Sequence, residues 1–78
     1  GLKIAYPAFP ADAKGLLCQA FEDPNPVMFF EHKALYRSVE QDVPTGYYTL
    51  PFGVANVLRN GDKATIVTYG LGVHWALK

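Results

Sequence analysis

Apolar and polar positions divide the chain into blocks of different period. Leu2-Lys3-Ile4-Ala5-Tyr6 is a short strand candidate that ends at Pro7. From Pro10 the spacing lengthens. Ala13, Leu16, Leu17, Ala20 and Phe21 recur at intervals that place them on one helix face. Pro10 suits a first helical position, and Asp12 puts negative charge at the positive end of the helix dipole. Phe9 has no side-chain acceptor to cap the helix, so a frayed start is expected. Gly15 inside the helix costs about 1 kcal/mol relative to Ala, which predicts close packing on a sheet.

Asp23-Pro24-Asn25-Pro26 stops the helix, because neither proline offers an N–H and each restricts the residue before it. Val27-Met28-Phe29-Phe30 is apolar without alternation, which predicts a strand over 27–31 covered on both faces. Strand, helix and strand make a β-α-β unit, so the fold class is α/β with a parallel sheet. From Lys33 to Pro51 no period is visible, a stretch too long for the inside of one compact domain and better read as a linker. Ala55–Arg59 and Ala64–Tyr69 flank Asn60-Gly61, the strongest short hairpin signal. Gly70-Leu71-Gly72 then turns the chain into a helix starting near Val73.

Composition narrows the class. Seven basic residues balance seven acidic ones, which leaves no electrostatic case for nucleic acid or an anionic membrane surface. Half of the residues are hydrophobic, which argues against disorder. The single Cys18 has no partner for an internal disulfide, consistent with a reducing compartment. No apolar run approaches the roughly 20 residues of a membrane span.

The helix stop is the best candidate site. A helix C-terminus leaves carbonyls unpaired and carries partial negative charge. The Ala20 carbonyl, the Asp23 carboxylate and the Asn25 carboxamide can converge there on one hard cation; a plain helix terminator is the commoner meaning of such a turn. Glu31, His32, Lys33, Tyr36 and Arg37 follow the C-terminal end of the second strand, the edge where α/β sheets place ligands. The alternatives for this cluster are acid–base work by His32 and a solvated or interface loop with salt links. His74 stands without a second ligand at metal spacing and reads as a packed or surface histidine. Cys18 sits among apolar neighbours and reads as an inert thiol. The glycines at 70 and 72 lack the third member of a dinucleotide loop, whose place Trp75 takes.

Three segments at fixed spacing carry a resemblance. Asp12-Ala13-Lys14-Gly15-Leu16-Leu17, Glu22-Asp23-Pro24-Asn25-Pro26 and Phe29-Phe30-Glu31-His32-Lys33-Ala34-Leu35-Tyr36-Arg37 together resemble the β subunit of branched-chain 2-oxo acid dehydrogenases. That subunit is part of the thiamine-diphosphate-dependent decarboxylating component, and it is several times longer than this chain. We therefore expect a segment of a larger subunit. The resemblance implies that 1–45 closes a pyrimidine-binding domain, 46–53 is linker, and 54–78 opens a transketolase-like C-terminal domain with a hairpin and the start of a helix.

The same resemblance implies a structural K⁺ site, with a backbone carbonyl at the position of Ala20 and side chains at those of Asp23 and Asn25. It implies thiamine diphosphate and Mg²⁺ in the intact enzyme, bound outside these residues, along with the catalytic glutamate and histidine. The implied partners are an α subunit or α domain, a lipoyl-bearing transacylase and a 2-oxo acid. The implied compartment is the bacterial cytoplasm or the mitochondrial matrix. Relatives usually carry proline where His32 stands, which favours an interface role for the loop over a catalytic one. The loop 33–37 resembles the branched-chain type; pyruvate and acetoin types are the alternatives. A rival of another class is a small non-enzymatic α/β interaction module, supported by neutral charge, aromatic richness and the hairpin signal.

Overall fold

A computed structural model describes all residues, Gly1 to Lys78. Strand β1 (Lys3–Ala5), helix α1 (Pro10–Glu22) and strand β2 (Val27–Phe29) form the expected β-α-β unit. The strands are parallel, with Lys3 opposite Val27, Ile4 opposite Met28 and Ala5 opposite Phe29. Two further bonds extend the ladder: Lys3 N–H donates to the Pro26 carbonyl at 2.9 Å and Phe30 N–H to that of Ala5 at 2.9 Å. Parallel pairing brings the start of β1 beside the turn that ends α1.

The start of α1 is not frayed. Pro10 occupies the first turn and Phe9 supplies no side-chain cap, yet Ala11 N–H donates to Gln41 Oε1 at 2.9 Å. The missing local cap is replaced by a side chain from far along the chain, which satisfies one of the orphan donors every helix leaves.

The same downstream segment lies along α1 and explains Gly15. Leu50 N–H donates to the Gly15 carbonyl at 3.1 Å. Lys14 Nζ donates to the Pro44 carbonyl at 2.6 Å, and the Tyr48 hydroxyl to that of Ala11 at 2.6 Å. A Cβ on Gly15 would sit 2.6 Å from Leu50 Cγ and 2.8 Å from Tyr48 Cε2. The close packing expected at Gly15 is real, but its partner is the segment 41–50 and not the sheet.

Three other expectations are corrected. The second strand is not covered on both faces: Val27 and Phe29 are half-buried, whereas Met28 and Phe30 are exposed. A two-stranded sheet with one helix beside it leaves its other face, Ile4 opposite Met28, open. The stretch from Lys33 to Pro51 is not free of elements, for it holds a one-turn helix, α2 (Leu35–Ser38). It forms where neither proline nor glycine interrupts the chain, and Ser38 Oγ donates back to the Ala34 carbonyl at 2.8 Å.

The third correction is the hairpin. Residues 55–59 and 64–69 carry no strand, and no backbone bond joins them. Asn60 and Gly61 do not adopt the positive φ of the tight turn. Both arms lie in solvent, with Val67 91% exposed, and a lone two-stranded ribbon without a covering layer is marginal in water.

The core is correspondingly thin. Ala5 and Val73 are its buried hydrophobic residues. Val73 belongs to helix α3 (Leu71–Ala76), which begins at Gly70 with φ +56°. Tyr6 stacks between Phe30 and Tyr69, at centroid distances of 5.8 and 5.2 Å, and so joins β1 to the approach to α3.

Candidate functional site

The turn after α1 is built by the two prolines, which deny the helix its next donors, and by the ladder bond from Lys3 to Pro26. Asp23 N–H donates to the Ala20 carbonyl at 3.3 Å. Asp23 Oδ1 accepts Asn25 N–H at 2.8 Å, the Asx geometry that makes aspartate a turn former. Asp23 Oδ2 accepts the Lys3 ammonium at 2.6 Å, and the Asp23 side chain is only 4% exposed. The Asp23 carboxylate is thus held by the Asn25 backbone N–H and by Lys3, and the Ala20 carbonyl accepts the Asp23 N–H.

The bond from Lys3, followed by the Asn25 N–H, holds the Asp23 carboxyl below the ordinary carboxylate range; burial opposes them. The sign follows by linkage. A lowered folded value stabilises above the unfolded carboxyl value, and that contribution is lost as pH falls through the folded one.

As a cation site the donor set fits in kind: a main-chain carbonyl, a carboxylate and a carboxamide, all hard oxygen ligands at a helix C-terminus. Both carboxylate oxygens already accept hydrogen bonds within the chain. A carboxylate has further lone pairs, so a cation there must share Asp23 with Lys3 or displace it.

The loop after β2 divides. Glu31, His32 and Tyr36 line one cleft of about 320 Å³, whose opposite wall is Pro7, Phe9 and Pro10. Lys33 and Arg37 are exposed and do not line it. Within the cleft the Tyr36 hydroxyl donates to Glu31 Oε2. His32 Nδ1 is buried without a partner, so this imidazole lacks the orienting bond that general bases carry.

The bond to Glu31, then desolvation and the carboxylate's charge, raises the Tyr36 hydroxyl above the ordinary phenol range. A raised folded value means stability that is present below the unfolded phenol value and lost as pH rises through the folded one. We expect ultraviolet titration of the intact protein to show a tyrosine ionising above the ordinary phenol range, absent in Tyr36→Phe and brought down in Glu31→Gln. A Glu31→Gln profile identical to the parent would remove Glu31 as the cause.

His74 is a packed histidine. Its Nε2 lies 2.7 Å from the Ala8 carbonyl, and its ring meets Phe9 edge-on at 4.8 Å. It ties α3 to the segment before α1. Cys18 is half-buried on α1. Sequence reasoning missed Lys3 and Gln41, both single polar residues whose partners lie 20 and 30 positions away. A parallel register was the one signal for Lys3, since it sets the first residue of β1 opposite the end of the turn.

These elements define a β-α-β segment with a polar turn at one end of its helix and a polar loop after its second strand. Its homologues are β subunits of 2-oxo acid dehydrogenases, in 2-oxoisovalerate, pyruvate and acetoin variants.

The 2-oxoisovalerate dehydrogenase subunit beta of Bacillus subtilis is 55% identical over 78 residues, 100% of this chain and 24% of that protein. The acetoin:2,6-dichlorophenolindophenol oxidoreductase subunit beta of Cupriavidus necator is 55% identical over the same 78 residues, 23% of that protein. The pyruvate dehydrogenase E1 component subunit beta of Bacillus subtilis is 50% identical over 78 residues, 24% of its length. The chain therefore spans about a quarter of the length of these curated relatives. No family model and no solved structure matches the chain.

Proposed function

We propose that this chain is a segment of the β subunit of a thiamine-diphosphate-dependent 2-oxo acid dehydrogenase of the branched-chain type. The observation that carries the reading is identity along the whole chain, 55%, to a 2-oxoisovalerate dehydrogenase subunit. Within one organism, Bacillus subtilis, that relative is more similar than the pyruvate one, at 50%. The acetoin relative, also at 55%, supports a second reading in which the intact enzyme acts on acetoin.

In this proposal 1–45 completes a pyrimidine-binding domain, 46–53 connects it, and 54–78 opens the C-terminal domain. Thiamine diphosphate with Mg²⁺ sits at the contact with an α subunit and supplies the carbanion chemistry that removes CO₂ from the 2-oxo acid. The acyl group passes to the lipoyl arm of a transacylase. None of the residues here touches the reacting atoms. Their roles are structural: Ala20, Asp23 and Asn25 hold a K⁺ ion at the end of α1, and Glu31, His32, Lys33, Tyr36 and Arg37 face a partner subunit. The setting is a reducing one, bacterial cytoplasm or mitochondrial matrix.

Decarboxylation by the intact enzyme tests the substrate. Turnover of 3-methyl-2-oxobutanoate is expected to exceed that of pyruvate, with kcat/KM higher by about tenfold or more, the discrimination a hydrophobic pocket supplies for a branched side chain. Preference for pyruvate or acetoin would overturn the branched-chain assignment.

A further inference from the structure

We propose that Lys3 is a tethered counter-ion that competes with a monovalent cation for the Asp23 carboxylate. The inference rests on the reading of Ala20, Asp23 and Asn25 as a cation site, and it adds a residue to which that reading assigns no role. The Lys3–Asp23 contact, 2.6 Å long, is the ion pair of this chain. Its geometry is set by the backbone: Lys3 N–H is bonded to the Pro26 carbonyl, and Lys3 lies opposite Val27 in the parallel register. The strand thus fixes the root of the side chain beside the turn.

The other end is free to leave. The Lys3 side chain is 43% exposed, against 4% for Asp23. An ammonium on a flexible stem can return to water with little loss of hydration, whereas the carboxylate stays in place through Asn25 N–H at 2.8 Å. With Lys3 docked, the two charges cancel. A cation added on the same carboxylate meets a like charge on Oδ2. When the ammonium swings out, Oδ2 is open to a cation without that repulsion. Lys3 therefore keeps the turn folded when the cation is scarce and sets the concentration at which the cation takes over.

The test uses the intact subunit assembled with its partner, melted in KCl from none to saturating, with choline chloride holding ionic strength constant. The parent, Lys3→Met, Lys3→Arg and Asp23→Ala are compared. The expected result is a K⁺-dependent rise of the melting temperature in the parent. In Lys3→Met the half-saturating KCl falls about tenfold, the usual scale of coupling between two ligands, and the K⁺-free melting temperature drops. Lys3→Arg keeps the charge and a half-saturation near the parent's, and Asp23→Ala abolishes the K⁺ response.

If parent and Lys3→Met share one half-saturation while Asp23→Ala loses the response, the cation site stands and the competition is wrong. If neither the parent nor Lys3→Met responds to K⁺ beyond choline, the cation site itself falls and the competition with it. Where Lys3→Met fails to assemble, Lys3→Gln removes the same charge and carries the same expectation of an about tenfold lower half-saturation, and a parent-like value there would overturn the competition. A half-saturation in Lys3→Arg tenfold below the parent's would overturn the role of charge.

Discussion

Gly70→Ala is expected to destabilise the intact subunit by about 3 kcal/mol or more. Two independent costs add. Gly70 has φ +56° and ψ −134°, a region that residues with a Cβ occupy only under strain of about 1–3 kcal/mol. A Cβ there would also lie 2.4 Å from Tyr6 Cε1 and 2.8 Å from Tyr6 Cδ1. Tyr6 cannot yield easily, because it is stacked on Phe30 and tilted against Tyr69; overpacking of that kind adds about 1–3 kcal/mol. For a protein of a few hundred residues the melting temperature should fall by about 5–10 °C. The two costs separate in a cycle with Tyr6→Ala. That background relieves the clash and leaves the backbone strain, so Gly70→Ala should cost less there but still destabilise. An equal cost in both backgrounds would show that the Tyr6 contact is not felt.

How far the sequence discloses this arrangement depends on the range of the interaction. Elements set by local chemistry were legible. The prolines at 24 and 26 end α1 where expected, and the β-α-β unit follows from the change of period. Asp23 accepts the Asn25 N–H because an aspartate next to a helix end folds back on its own backbone. Elements that depend on a covering layer were not legible. Val27–Phe30 reads as a doubly covered strand because a continuous apolar run fits a sheet with layers on both faces, and the structure holds α1 on one face alone. Asn60-Gly61 has the composition of a tight turn, yet exposed arms give it nothing to pack against.

The segment after Lys33 carries a different lesson. It lacks a hydrophobic period and so reads as a free connection. Its bonds are instead spent on α1, through the side chains of Gln41, Tyr47 and Tyr48 and through two main-chain groups, the Pro44 carbonyl and the Leu50 N–H. Main-chain partnerships leave no residue-type signature. The one trace they left is Gly15, a helix-disfavoured residue at a position that periodicity alone would fill with something larger. That residue also ties the polar turn to the rest of the chain: α1 carries Asp23 at its end and the segment 41–50 along its side.

Gly15→Val therefore tests whether this segment is a strap or a loose connection. In α1 the backbone at Gly15 is helical, so dihedral strain does not enter. Alanine alone would gain about 1 kcal/mol of helix propensity and lose about 1–3 kcal/mol to overpacking, a sign too close to decide anything. Valine gains less propensity and needs more room against Leu50 Cγ and Tyr48 Cε2, so the overpacking cost dominates. The expected outcome is a loss of about 2–3 kcal/mol in the intact subunit, with faster chymotryptic cleavage at Tyr47 and Tyr48 as the strap lifts. Leu50→Ala should recover part of the loss, because it vacates the nearer contact, and should leave the share owed to Tyr48. A lower melting temperature with unchanged cleavage at Tyr47 and Tyr48, or additive effects of Gly15→Val and Leu50→Ala, would mean that Gly15 does not make room for the strap.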